Sequence, residues 1–324
     1  MAYEFENLVF EGGGVKGLAF CGALKVLEEK GIMKNIKRLA GSSAGAITAG
    51  LLACGYTADG ILKKLRGKNF NDFKDDSWGF IRDLWRLKNK YGFHLGKEFY
   101  NWYGALLEDE TGKADITFAD VFDDCDKELV ITGTCLNRRE THYYTKDRNP
   151  NMSIRQAVRI SMSIPLFFAA VEWKGDLLVD GGVLNNYPLW VFDGKGPKDP
   201  QARGAKPNRK TLGLKLLTEE EIAEGGSGQR RENEINDIKD FALSLVESLT
   251  SQIERLHIKP RDWERTIAIN TRHVKTTDFD MKDTDKKMLL EEGRKGAEKF
   301  FAWFDAQKTG VAAPSGKVTP PTGK

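Results

Sequence analysis

The sequence has little that would commit it to a membrane, a metal or a nucleic acid. No run approaches the roughly 18 apolar residues of a spanning helix. The longest small-and-apolar stretch, Ala44 to Gly55, is broken by Thr48 and by glycines, so the chain is expected not to be integral to a membrane. An excess of one charge is missing as well. Lys and Arg total 50 against 47 Asp and Glu, and a net charge of +3 makes no case for nucleic acid. Cysteine is scarce: Cys21, Cys54, Cys125 and Cys135 lie far apart, with no C-x-x-C and no paired histidines. Neither a disulfide framework nor a zinc site is expected, and reduced thiols in a cytoplasmic setting are the default. The first residues lack the basic-then-apolar layout of a secretory signal, and the last ones lack a lipidation box. The expectation is a cytoplasmic protein without metal or other cofactor, peripheral where it meets a membrane, with signal-independent export left open.

Aromatic residues are present in strength. Eighteen Phe, 7 Trp and 8 Tyr are more than a disordered chain carries. The first 55 residues read as two βα units: a strand at Leu8–Phe10, a helix up to Gly31, a strand at 36–40 and a small-residue helix at 44–55. Strands alternating with helices imply a mainly parallel sheet covered on both faces. Trp78, Ile81 and Trp85 put an apolar face on a helix. A strand pair follows at 129–135 and 140–144 around an Asn-Arg-Arg turn, then a helix at 153–161 and a strand at Leu177–Val179. A further strand spans 212–217 between two polar loops at 194–210 and 225–233. An amphipathic helix over 235–256 carries Ile238, Phe241, Leu245, Leu249 and Ile253 on one stripe. A last strand at 266–269 and a helix at 286–304 complete the pattern. No repeat is present and neither loop separates two self-sufficient cores. One domain over 1–306 with loop insertions is expected, followed by a disordered Pro-containing tail at 307–324.

Three motifs carry chemistry. Gly41-Ser42-Ser43-Ala44-Gly45 is a G-x-S-x-G between a predicted strand and a predicted helix. A nucleophile on such a turn needs tiny residues two places either side, and the helix N-terminus favours negative charge developing beside it. The plain alternative is a turn in which Ser43 caps the helix. Glu11-Gly12-Gly13-Gly14-Val15-Lys16-Gly17 follows the first strand directly, and its bare backbone amides suit a phosphate or an oxyanion. Gly12, Gly14 and Gly17 also fit G-x-G-x-x-G. However, the acidic residue that a dinucleotide fold wants after the second strand is missing, and Leu18 stands where a P-loop needs lysine. The run serves an oxyanion better. Asp180-Gly181-Gly182 closes the strand at 177–179, at the sheet edge where the other two motifs emerge, which places a carboxylate base near Ser43.

Only four histidines are available, His94, His142, His257 and His273. A Ser–Asp–His triad through His257 or His273 stays open by chain order, yet neither lies in a loop signal past a strand. A Ser43–Asp180 dyad needs no histidine.

These motifs, in this order, resemble the patatin-like phospholipase family. The likeness extends to Ser161-Met162-Ser163-Ile164-Pro165 and covers about residues 5–190. It implies a three-layer α/β/α sandwich and a lipid acyl hydrolase with Ser43 as nucleophile, Asp180 as base, and Gly12, Gly13 and Gly14 as the oxyanion hole. Lys16 matches the basic position after the glycines and is the candidate substrate contact. Glu11 departs from the Asp that many members carry there. The implied substrate is a phospholipid or lysophospholipid at a membrane surface, with room for a protein activator, and oligomeric state unread. A carboxylesterase or neutral-lipid lipase with the same dyad, and a catalytically silent lipid-binding module, remain alternatives. Trp78, Ile81, Trp85, Tyr91 and Phe93 are candidates for an acyl channel or lid. The basic loop with Lys195, Lys198, Arg203, Lys206, Arg209 and Lys210 is a candidate for an anionic bilayer, against a simple solvated loop.

Overall fold

The computed structural model describes residues 3–73, 90–194, 206–219, 221, 235 and 238–309. In chain order the elements are β1 (Asn7–Phe10), α1 (Ala19–Glu29), β2 (Arg38–Gly41), α2 (Ala44–Ala53), α3 (Ala58–Arg66), β3 (Gly92–His94), α4 (Lys97–Thr111), α5 (Phe118–Cys125), β4 (Glu128–Cys135) and β5 (Glu140–Tyr144). Then come α6 (Ile154–Ser161), β6 (Leu166–Phe168), β7 (Val171–Trp173), β8 (Asp176–Asp180), α7 (Gly182–Asn185), β9 (Thr211–Leu217), α8 (Ile238–His257), β10 (Thr266–Asn270) and α9 (Asp283–Thr309).

One eight-stranded sheet runs β10-β9-β1-β2-β4-β8-β7, with β5 on β4. Strands β10, β9, β1, β2 and β4 are mutually parallel, and β5, β8 and β7 join antiparallel at the far side. β3 and β6 form a separate parallel pair. The alternation of side chains across the pleat builds two cores. Leu8, Phe10, Leu39, Leu129 and Ile131 face the larger one, shared with helices that include α1, α2 and α9. Val9, Ala40 and Val130 face the smaller one, closed by Tyr187, Leu189, Val191 and Phe192. Both faces are thus covered, and the fold is an α/β sandwich around a mostly parallel sheet.

Register places the ends of the strands. Ile131 of β4 pairs with Gly41 on one side and Tyr144 on the other, while Gly133 pairs with His142 and Asp180. β5 holds one side of β4 from Ile131 to Cys135. β8 therefore takes, beyond Gly41, the side that β2 occupies before it. Asp180 lies opposite Gly133, two residues past Ile131, and Ser43 lies two residues past Gly41. The serine turn and the end of β8 meet by construction.

Two features differ from the sequence pattern. β3, β6 and β7 were not foreseen, since three residues cannot carry a period. The apolar stripe of α8 is not core: Phe241, Leu245 and Leu249 are exposed on a helix that packs against α7 and β6. No helix among the described residues is long and apolar enough to cross a membrane.

The cover of the smaller core is pinned by charge. Arg265 is buried and holds Asp193 through two bonds, Nη1 to Oδ1 at 2.6 Å and Nη2 to Oδ2 at 2.7 Å, and it reaches Asp262 Oδ1 at 2.9 Å. Removing one partner of such a buried pair leaves the other charged and unpaired, at a cost of about 3–5 kcal/mol. Arg265→Ala is expected to lose stability of that order in urea denaturation; a loss below about 1 kcal/mol would show that the pair does not hold the 187–193 segment down.

Candidate active site

Ser43 sits between β2 and α2 at φ 49° and ψ −121°, in the left-handed half of the map that a non-glycine residue rarely enters. Such strain costs on the order of 1–3 kcal/mol and persists only where the surroundings over-determine it. Two constraints do so here. A Cβ on Gly45 would run into the carbonyl oxygens of Phe10 and Glu11, and one on Gly41 into the backbone of Gly45, so strand and helix close up only with glycine at both places. The Ser43 N–H is also held, donating to Ser161 Oγ at 2.9 Å.

Asp180, at 4% exposure, is more buried than Ser43 at 7%. Its Oδ1 accepts the Gly182 N–H at 2.7 Å, and its backbone N–H donates to the Ser163 carbonyl at 2.9 Å. Burial pushes its carboxyl up to about 7, while the Gly182 N–H and the Ser43 hydroxyl pull the other way. Ser43 is therefore within electrostatic reach, but Oδ2 has no partner at hydrogen-bond distance among the described residues. The contact is looser than a closed hydrogen bond.

The glycine loop lies against this pair. A Cβ on Gly12 would come 3.1 Å from Ser43 Cβ and would strike the Asn186 side chain. One expectation needs correction. The Gly12 N–H is not a spare donor, because it is committed to the Asn186 carbonyl at 3.0 Å. No hydrogen bond among the described residues takes the amides of Gly13 or Gly14, so two amides rather than three are open to a ligand. Lys16 is half-buried beside them, its Cε 3.6 Å from where a Cβ on Gly13 would stand. Glu11 has a bracing role. It is buried, pairs with Lys215 at 2.5 Å and accepts the Leu216 N–H at 2.5 Å, which ties the loop to β9.

Several neighbours carried no motif signal. Asn186 joins the glycine loop to the turn after Asp180, its Nδ2 donating to the Gly12 carbonyl at 3.3 Å. Ser42, fully buried, donates to the Asn185 carbonyl at 2.6 Å and is hydrogen-bonded to Thr132. Arg159 is buried and binds Ser163 Oγ, with Nη2 on the Leu95 carbonyl at 2.6 Å and on the Ala169 carbonyl at 3.1 Å. The Ser161–Ser163 segment is thereby a frame with one end on the Ser43 amide and the other on the Asp180 amide.

The histidines have other surroundings. His94 packs on Phe167 and Phe168, His142 lies 3.3 Å from Glu140, and His273 is 3.4 Å from Asp285. The side chain of His257 lies outside the described residues, as do Trp78, Ile81, Trp85, Lys195, Lys198 and Arg203. Phe93 is buried in β3 and Tyr91 is exposed. Lys206 and Arg209 are exposed, while Lys210 pairs with Glu6 at 2.7 Å.

The profile of the patatin-like phospholipase family matches residues 8–193, a span that holds the glycine loop, the serine turn and Asp180. The chain belongs to the patatin-like phospholipase family. This patatin-like protein is 30% identical over 312 residues to the uncharacterized protein YqhO of Bacillus subtilis, covering 90% of the chain and 97% of that protein. It is 26% identical to a probable lipid hydrolase of invertebrate iridescent virus 6, over 57% of this chain and 62% of the other. Among solved structures it is similar in fold to VipD from Legionella pneumophila, with a TM-score of 0.63 at 19% identity over 92% of this chain and 67% of that one.

The raised carboxyl of Asp180 has a thermodynamic signature. The unfolded chain loses this proton near pH 3.8 and the native protein only near pH 7. Between these values the native state binds more protons, so wild-type stability falls as pH rises through that window. Asp180→Asn removes the titration and keeps an oxygen for the Gly182 N–H. The variant is expected to gain about 2–4 kcal/mol on wild type between about pH 4 and pH 8; a difference that does not change with pH would show an ordinary carboxyl.

Proposed function

We propose that this protein hydrolyses fatty-acyl esters of glycerophospholipids or lysophospholipids at a membrane surface. Ser43 is the nucleophile and Asp180 the general base. The observation that carries this reading is the strained serine turn facing a buried carboxylate that titrates near neutrality, with no histidine at that contact among the described residues. Asp180 Oδ2, which has no hydrogen-bond partner among the described residues, takes the Ser43 proton as Oγ attacks the ester carbonyl. Oδ1 stays pinned by Gly182. The amides of Gly13 and Gly14 stabilise the oxyanion, and losing one such donor typically costs about 2.7–4 kcal/mol of barrier. The protonated Asp180 then protonates the departing alcohol, and the acyl-enzyme is hydrolysed by a water that Asp180 deprotonates. Lys16 offers its ammonium to the phosphate of the head group.

A base of this kind works only when ionised. The kcat/KM is expected to fall as pH drops below about 7, following one group, because Asp180 is then protonated. Fatty-acid release from phosphatidylcholine vesicles is expected from wild type and to fall by more than about 1,000-fold in folded Ser43→Ala and Asp180→Asn. Wild-type rates in Asp180→Asn would sink the dyad. Lys16→Ala is expected to raise KM for phospholipids and leave KM for short neutral esters unchanged; equal effects on both would favour a general carboxylesterase.

A further inference from the structure

Cys135 at the end of β4, His142 in β5 and Asp176 at the start of β8 lie on one face of the antiparallel arm. The register requires it. Cys135 pairs with Glu140 and Leu178, and His142 and Asp176 are each two residues from those partners. One donor atom from each of the three lies within 4.8 Å of the others. Thiolate, imidazole and carboxylate at such spacing form a ligand set suited to a tetrahedral transition metal, and the soft sulfur argues against calcium or magnesium.

A second observation points into the same place. Tyr144, next along that face of β5, is 2% exposed, and its hydroxyl has no hydrogen-bond partner among the described residues. It lies within electrostatic reach of Cys135 and Asp176, and its ring packs edge-on to His142 at 6.3 Å. A buried phenol left unsatisfied is costly and is usually answered by water or an ion. The flanking groups fit as well. Glu140 Oε1 is 3.3 Å from His142 Nε2, in the manner of carboxylates that orient ligand histidines. The exposed Arg138 holds Asp176 by Oδ2 alone at 2.8 Å among the described residues.

We propose that Cys135, His142 and Asp176 bind one zinc-type divalent ion. A water held by Tyr144 Oη occupies the fourth position. The Cys135 thiol gives its proton to solvent as the S–metal bond forms, so binding releases one proton. Asp176 is four residues from Asp180 along β8, roughly 13 Å at strand rise, and His142 faces Asp180 across Gly133 of β4, roughly 10 Å away at the spacing of strands. The ion therefore touches no reacting atom. It clasps the three strands that present Asp180 and is a positioning site.

The test uses the full chain, stripped with EDTA and titrated with Co²⁺ and then Zn²⁺. One Co²⁺ per chain is expected, with a thiolate-to-cobalt charge-transfer band and tetrahedral d–d bands, and Zn²⁺ is expected to displace it and raise the melting temperature. Cys135→Ser and His142→Gln, checked for folding by circular dichroism, are expected to lose the band and the rise in melting temperature. Glu140→Gln is expected to weaken binding by about 10–100-fold. A chain that takes up no cobalt overturns the proposal, as does an undiminished thiolate band in Cys135→Ser, which would assign the metal to another cysteine.

Discussion

The site depends on a change of neighbour along one edge of β4. This strand outruns β2, and β8 occupies the freed side so that Gly133 pairs with Asp180 directly beyond the pairing of Ile131 with Gly41. Two strands running in opposite directions thus deliver their ends to one point, a serine from one and a carboxylate from the other. Sliding β8 by one residue would turn Asp180 to the opposite face of the sheet. Backbone ladder bonds, rather than any contact between Ser43 and Asp180, hold the two together.

That dependence explains which parts were legible in the sequence. The glycines flanking Ser43 announce themselves because the close approach of Gly45 to the Phe10 carbonyl leaves room for nothing else. Asp180-Gly181-Gly182 is readable for a similar reason, at the end of an apolar run. Asn186 and Thr132 are not. Each acts through hydrogen bonds set by tertiary placement, and a lone polar residue in a strand or loop has no period to betray it. Gly12 was read as a donor because glycine runs expose amides, whereas the fold spends that amide on Asn186. The α8 pattern was read correctly as a helix, but periodicity reports only that one stripe is apolar and not that the stripe faces the core. Cys135, His142 and Asp176 show no ligand spacing because a hairpin and an antiparallel strand, not a local turn, bring them together.

The energetic character of the centre is unfavourable by itself. Ser43 is strained and Asp180 is desolvated, and each would relax in a looser fold. Opposing this is a set of hydrogen bonds, charge-assisted at the Arg159 guanidinium, running from Arg159 through Ser163 to the Asp180 backbone, and from Ser161 to the Ser43 backbone. The helix before this frame is buried along its length from Ala157 to Ser161, so the frame is fixed by packing as well as by polar contacts.

The bracing of Glu11 bears on where the working unit ends. The match to the family stops at residue 193, while the cation that meets Glu11 and the amide that caps it come from Lys215 and Leu216, on the strand beside β1. The end of the family profile and the boundary drawn by physical support are therefore different. A fragment excised at the first would keep every residue assigned to the chemistry, yet it would leave an acidic side chain buried without its counter-charge and the edge of β1 open to water.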